Sequence, residues 1–346
     1  MLRTHTCGEL TASNAKDAAT LCGWVHRRRD HGGLIFIDLR DHYGFTQVVI
    51  DPDHGDAFAI AEKVRPEWVL QVKGAVRKRV DGAAREENPT GEIEVLVDEL
   101  IVLNEAKTPP FEIDQEKEVG EELRLQYRYL DMRRERMQRN MQLRSQVFQV
   151  IRKYFVDQGC IEVDTPCLIK GTPEGAREYL VPSRMYPGNF FVLPQSPQQL
   201  KQLCMVGGVD RYFQLARCFR DEDLRGDRQP EFMQLDFEMS FCEQEDVMDI
   251  IQGSVESVIK ECGTKPLKGK KVERHTWQDV MDNYGSDKPD LRYDLPIVDV
   301  SDSCEGCGFK VFEDALKIPK GTVRALRVPG GAELSRGEID RWTELA

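Results

Sequence analysis

The sequence has 346 residues, 40% of them hydrophobic and 31% charged, enough apolar side chain for the cores of two or three domains. A formal net charge of −12 argues against a protein that coats nucleic acid with its whole surface, while leaving room for a local basic patch such as "HRRRDH" at 26–31. No run of about 18 apolar residues offers a membrane span. The start "MLRTHTCGEL" lacks the apolar stretch of a secretory signal, and ten scattered cysteines fit the reducing cytoplasm.

In chain order, residues 1–104 read as mostly β. Candidate strands are "TLCGWVH" (20–26), "LIFIDLR" (34–40), "FTQVVID" (45–51), "WVLQVKGAVRKRV" (68–80) and "GEIEVLVDELIVLN" (91–104), with a helical stretch, "GDAFAIAEKVR" (55–65), between the third and fourth. Five strands with a helix in that place match an OB-type barrel. Residues 105–130 carry a proline pair and dense charge, the profile of a linker, and run into the Arg-rich helical segment "LRLQYRYLDMRRERM". From 141 helices and strands alternate. Val147, Val150, Ile151, Tyr154 and Phe155 fall on one helical face, and Gly159 is placed to stop the helix. "CIEVDTPCL" (160–168) then alternates like a strand. "RYFQLARCFRDE" (211–222) and "EFMQLDFEMSF" (231–241) read as two more strands around a loop holding Gly226 and Pro230, and 243–262 reads as a helix.

The stretch between and within these two strands, "FRDEDLRGDRQPEFMQLDFE" (219–238), sets Arg220, Arg225 and Arg228 among seven acidic residues. Strand residues alternate faces, so Met233, Leu235 and Phe237 read as core, while Phe232, Gln234, Asp236 and Glu238 point the other way. Gln214, Arg220 and Glu222 share a face on the incoming strand. Together these offer a guanidinium for a phosphate and a flat ring for a base. The pattern alone equally allows an exposed hairpin whose charges satisfy one another.

"FRDEDLRGDRQPEF" closely resembles motif 2 of the class II aminoacyl-tRNA synthetases, and "GCIEVDTPCL" after its long helix resembles motif 1. "GTPEGAREYLVPSR" (171–184), "LPQSPQQLKQL" (193–203), "LRLQYRYLDMRR" (123–134) and "GSDKPDLR" (285–292) narrow the resemblance to bacterial-type aspartyl-tRNA synthetases over nearly the whole chain. It implies an α+β multidomain fold: an anticodon-binding OB-fold barrel (1–104), a hinge (105–140), a class II catalytic core with motifs 1 and 2 only (141–295), an incomplete part of the family's six-stranded antiparallel sheet flanked by helices, and the start of the bacterial insertion domain (296–346). It further implies a homodimer joined through motif 1, with L-aspartate, ATP, Mg²⁺ and tRNA(Asp) as reactants or partners.

By the same resemblance Arg220 is the catalytic arginine, bridging the α-phosphate and the substrate carboxylate. Asp221, Glu222 and Gln229 contact ATP, and Phe232 stacks on adenine. Glu174 takes the amino-acid ammonium, and Gln198, Gln199, Leu200, Lys201, Gln234 and Asp236 line the aspartate pocket. Lys201 is the cation that distinguishes aspartate from asparagine; its residue pattern alone also fits a solvated lysine on an amphipathic helix. At the barrel, Phe36 shares a polar strand face with Asp38 and Arg40, where ordinary barrel packing is the plainer reading and a stacking platform for a base the functional one. The resemblance makes Phe36, Gln47 and Glu94 anticodon readers, with Arg29, Arg65 and Arg79 nearby. His31 with Gly82 resembles the non-discriminating type, which also charges tRNA(Asn).

"CEGC" (304–307) has zinc-ligand spacing without a second pair, half a site, so no resident metal is assigned. The family's motif 3 is not found in the sequence. The expectation is therefore that these 346 residues are a fragment unable by themselves to complete adenylate formation. Two other readings are a tRNA-binding module without catalysis, and a synthetase paralogue that makes a small molecule from an adenylate. The anticodon-type residues argue against the latter.

Overall fold

Alternation of apolar and polar residues closes the N-terminal part of the chain into a barrel. Its strands are β1 (Ala18–His31), β2 (Leu34–Arg40) and β3 (Phe45–Ile50), then helix α1 (Gly55–Ala61), then β4 (Val69–Lys78) and β5 (Ile93–Asn104). The order around the barrel is β1-β2-β3-β5-β4, antiparallel except where β3 meets β5. Leu21, Ile35, Ile37, Leu39, Val72 and Val95 point inward and are fully buried, with Ala57 and Ala61 of α1 packed into the same core. This is the five-stranded OB barrel read from the pattern. β1 runs further than its apolar residues indicate and carries "HRRRDH" on the strand itself, with an irregularity between Val25 and Arg27. Gly32 and Gly33, at φ +64° and +80°, form the tight two-residue turn into β2, a conformation that glycine adopts without steric cost.

The computed structural model describes all residues except 81–83, 86–87, 114–117, 173, 268, 270–271 and 346, and the chain divides into two units, Met1–Lys265 and Pro266–Ala346. In the first unit the barrel is followed by α2 (Glu121–Gln126), α3 (Arg128–Asp131) and the long α4 (Glu135–Asp157), where one buried carboxylate holds the helical segment together and another joins it to the barrel. Asp131, 1% exposed, accepts from Arg128 at 2.7 Å, with Arg124 and Arg134 at 3.8 and 3.7 Å. Glu67, 4% exposed, sits at φ +67° and accepts two hydrogen bonds from Arg40 and one from Arg133. The Arg133 guanidinium also lies over the Trp24 ring, 5.1 Å from its centroid. Glu67→Ala would strand both guanidinium groups. We expect it to cost about 2–3 kcal/mol, below the value for a fully buried pair because Arg133 is partly solvated. A urea midpoint unchanged from the parent contradicts this.

Beyond α4, Gly159 at φ +76° ends the helix as expected, and the chain turns into β6 (Ile161–Glu162), β7 (Leu180–Pro182), β8 (Phe190–Val192), α5 (Gln198–Val206), β9 (Arg211–Phe219), β10 (Glu231–Met239) and α6 (Gln244–Cys262). Among the described residues the sheet has three strands in the order β10-β9-β6, with β6 parallel to β9, beside a separate β7–β8 ribbon. This is the incomplete sheet expected of the chain, three strands of the family's six, and it differs from the antiparallel expectation in the one parallel pair, β6 with β9. The strand expected over 160–168 is reduced to two paired residues. Val163 N–H still reaches Phe213 O at 3.2 Å, but Pro166 has no N–H to donate and Leu168 is exposed. Phe155 from α4 stacks on Phe213 of β9, and Ile250 of α6, Leu235, Phe237 and Met239 complete the core. Met233, read as core, is only half-buried, opposite exposed Arg217.

The second unit holds α7 (Trp277–Tyr284), β11 (Ile297–Asp299), α8 (Ser301–Cys304), α9 (Lys310–Leu316), β12 (Arg324–Leu326) and α10 (Arg336–Leu345), with β11 and β12 antiparallel. Cys304 is buried and Cys307 exposed, and both are free thiols. Among the described residues no three His, Cys, Asp or Glu side chains are grouped to hold a metal, and no helix is long and apolar enough to cross a membrane.

Candidate functional site

β9 and β10 pair in register, so alternation on each strand adds to one polar face. Tyr212, Gln214, Ala216 and Cys218 lie directly opposite Glu238, Asp236, Gln234 and Phe232. Cys218 is buried and donates to Gln234 Oε1 at 3.4 Å. Burial first, and the nearby Asp236 carboxylate second, push its thiol up to about 11, so it stays protonated and unreactive at neutral pH.

β9 ends at Phe219, earlier than the alternation indicates. Arg220 still pairs through its N–H with Pro230 O at 2.8 Å, but Asp221 N–H turns away to Arg177 O at 3.0 Å. Glu222 is therefore exposed beyond the strand and does not share the face with Gln214 and Arg220. The Arg220 guanidinium lies 5.1 Å from the centroid of half-buried Phe232, which joins the expected phosphate ligand to the expected base platform. Gln229 is exposed in the hairpin loop, where Arg225 and Arg228 exchange backbone hydrogen bonds. Arg177, Asp221, Glu222, Asp223, Arg225 and Arg228, with Gly175 and Ala176, line a cleft of about 380 Å³.

Lys201 projects from α5 onto the polar face and is 8% exposed, which excludes the solvated-lysine reading. Its ammonium donates to Asp236 Oδ1 at 2.8 Å and lies 3.3 Å from Glu238 Oε2. Gln198, one turn earlier, is half-buried on the same side; Leu200 is half-buried on another face of the helix, and Gln199 is exposed. Asp236 is 6% exposed, and its Oδ2 is buried without an assigned donor among the described residues. Tyr212, fully buried, places its Oη 2.7 Å from the Gln214 amide.

The loop before the ribbon is stitched to the segment after it. Gln195, 3% exposed, clamps the Ala176 backbone through Ala176 N–H (2.9 Å) and Ala176 O (3.0 Å). The Thr172 and Ser196 hydroxyls donate to the two oxygens of Glu174. Thus Glu174 is held in place, with Gly175 at φ +99° taking the turn. Gln195, Ser196, Arg177, Tyr212 and Glu238 were not singled out from the sequence. Only Glu238 had a signal there, as the next residue on the face of Asp236.

The barrel carries a second cluster, built across strands. Arg29 faces Phe36 in the β1–β2 register, Asp38 faces Gln47 in β2–β3, and Arg77 faces Glu94 in β4–β5. Arg29 donates to Asp38 at 2.8 Å and to Gln47 at 3.2 Å. Gln47 donates to Glu94 at 2.8 Å, and Arg77 donates to the other oxygen of Glu94. Phe36 is half-buried beside these polar groups rather than in the barrel core. Arg79 is 8% exposed and donates to Ile93 O, while its Nη2 is buried without an assigned acceptor among the described residues. Burial and the neighbouring Arg85 disfavour its charge. Arg65 stands apart, exposed, donating to Val64 O. His31 is exposed at the end of β1, and Gly82 lies outside the described residues.

Residues 120–319 match the family model described as tRNA synthetases class II (D, K and N), and residues 19–103 match the one described as OB-fold nucleic acid binding domain. Two curated relatives bear the name Aspartate--tRNA(Asp/Asn) ligase. The protein of Rubrobacter xylanophilus is 54% identical and that of Moorella thermoacetica 55% identical, each over 344 residues and 99% of this chain. The chain spans 57% of the length of each. Among solved structures, asparaginyl-tRNA synthetase from Pyrococcus horikoshii complexed with asparaginyl-adenylate is similar at a TM-score of 0.66 and 26% identity, over 75% of this chain and 58% of that one.

Proposed function

Because the chain belongs to the class II tRNA synthetases of the D, K and N group, we propose that the full-length protein is an aspartate–tRNA(Asp/Asn) ligase. It activates L-aspartate with ATP and transfers the aspartyl group to the 3′ end of tRNA(Asp) and tRNA(Asn). The observation that carries this reading is the buried Lys201 ammonium, held by Asp236 and Glu238 on the face that also bears Phe232 and the hairpin of Arg220. A buried cation suits a substrate with a side-chain carboxylate. The names of the two bacterial relatives support the same choice.

The aspartate α-carboxylate is ionised at neutral pH, so the first step requires no general base. One carboxylate oxygen attacks the α-phosphorus in line, the bond to the bridging oxygen breaks, and pyrophosphate leaves as aspartyl-adenylate forms. Arg220 holds the α-phosphate against the attacking carboxylate, and Phe232 carries the adenine. Glu174 takes the substrate ammonium, Gln198 and Gln234 orient the amino acid, and Lys201 takes its side-chain carboxylate with Asp236 steadying the cation. Asp221 and Gln229 reach ATP from the hairpin loop. The exposed carboxylates of Glu222 and Asp223 at the cleft would hold Mg²⁺, a cation that takes one or two carboxylates beside phosphate oxygens and waters; bound there, it would supply charge neutralisation for the departing pyrophosphate.

At the other end, Phe36, Gln47, Glu94, Arg29 and Arg79 form the anticodon platform, with Arg65 meeting the backbone. The buried Nη2 of Arg79, without an assigned acceptor among the described residues, supports this, since an incoming acceptor would satisfy it. Phe36→Ala should weaken tRNA(Asp) binding by about 1–3 kcal/mol, the contribution of one stacked base. Aspartate activation should be unaffected. A gel shift with unchanged affinity contradicts the stacking role. His31 and Gly82 lead us to expect charging of purified tRNA(Asn), and no aspartyl product at high enzyme concentration refutes dual specificity. Exposed Leu143, Val156, Ile161 and Leu168 along α4 and its following segment support a homodimer through motif 1, which light scattering can check.

A further inference from the structure

We infer that Tyr212 is a positioning residue for amino-acid selection: its hydroxyl donates to Asp236 and so fixes the carboxylate that steers Lys201. The inference rests on the reading of this face as the aspartate site.

It follows from completing the hydrogen bonds of a closed group. The amide of Gln214 has one orientation that satisfies its surroundings. Its nitrogen then faces Tyr212 Oη (2.7 Å), Thr165 Oγ1 (3.0 Å) and Val163 O (3.2 Å), with its two hydrogens for the nearest acceptors, Tyr212 Oη first, and its oxygen accepts from Thr165 N–H (3.3 Å). Tyr212 Oη is thus an acceptor toward Gln214, and its single proton must go elsewhere. On the same face, Asp236 Oδ2 is a buried acceptor without an assigned donor among the described residues, while Oδ1 is taken by Lys201. The β9–β10 register sets Gln214 opposite Asp236 and Tyr212 opposite Glu238, so Tyr212 is the diagonal neighbour of Asp236, within reach of a long side chain. Burial, then the Asp236 carboxylate, push the phenol well above its ordinary range, so it remains a donor at any working pH.

The consequence is directional. An ammonium has three N–H donors; one goes to Asp236 Oδ1, and the Glu238 carboxylate, an ion-pair partner 3.3 Å away, draws a second. With Asp236 pinned by Tyr212, the third has a fixed aim, which suits a substrate carboxylate and presents no acceptor to an amide nitrogen. Without the hydroxyl, Asp236 can rotate and Lys201 with it. The chain Thr165–Gln214–Tyr212–Asp236–Lys201 also ties the segment after β6 to the amino-acid pocket.

The test is ATP–pyrophosphate exchange by the full-length protein and its Tyr212→Phe variant. We expect the aspartate KM to rise roughly tenfold, the low end of what losing a hydrogen bond to a charged group does, with the ATP KM unchanged. In an Asp236→Asn background, Tyr212→Phe should add nothing. Equal effects in both backgrounds would mean that the tyrosine merely fills space, and would overturn the inference. If Tyr212→Phe does not fold, Gln214→Glu keeps the hydroxyl but offers it a competing carboxylate, and should raise the aspartate KM likewise; no rise overturns the inference. Absence of aspartate-dependent exchange by the parent would refute the function proposed above. Exchange by the parent with an unchanged aspartate KM in Tyr212→Phe would refute only the role of Tyr212.

Discussion

Arg220→Gln should lower the rate of aspartyl-adenylate formation by about 10²–10³-fold, the usual effect of removing one preorganised donor from a developing charge. The side chain is set by the hairpin backbone and rests on the Phe232 ring, so its guanidinium waits in place without reorganisation. The substitution also removes a cation from that ring, a loss of about 0.5–1 kcal/mol. Folding should therefore change little and chemistry greatly. Single-turnover adenylate formation and a thermal melt separate the two, and tRNA affinity, which depends on the barrel, should stay as it was. A loss in rate that merely tracks a lost fold would contradict the role given to Arg220.

Lys201→Met should affect both stability and selection. The ammonium lies between Asp236 and Glu238, and Asp236 is buried. Taking away one partner of a buried charge group costs about 3–5 kcal/mol in stability, mostly from the carboxylate left behind. The same change removes the cation offered to the substrate carboxylate, on the order of 10²–10³ in kcat/KM for aspartate. The two effects can be separated. Asp236→Asn added to Lys201→Met removes the stranded charge and should restore much of the melting temperature, while aspartate activation stays lost. Recovery of both together would show that Lys201 serves the fold alone.

What could be read beforehand followed physical lines. The barrel was readable because its inward residues are β-branched or leucine and alternate strictly, as in Ile35, Ile37 and Leu39. The polar face of the hairpin was readable for the same reason. The continuation of β1 through Arg27, Arg28 and Arg29 was not, because charged residues on an open barrel face look like loop. Glu222 was misplaced because alternation does not say where a strand stops; Asp221 leaves it by pairing with the Arg177 backbone, a residue far away in sequence. The engagement of Lys201 by Asp236 joins elements 35 residues apart, and no local pattern reveals it. Tyr212 reads as one more core aromatic until its hydroxyl is traced to Gln214. Gln199 entered only through resemblance and lies exposed, whereas Gln198 and Lys201, three apart on α5, share the buried side.

The most direct measurement is charging of purified tRNA(Asp) by the full-length protein with aspartate, asparagine and lysine supplied separately. Lys201 in its acidic cradle predicts aspartyl-tRNA from aspartate and no product from the other two. Charging with asparagine or lysine in place of aspartate, or no charging with any of the three, would contradict it.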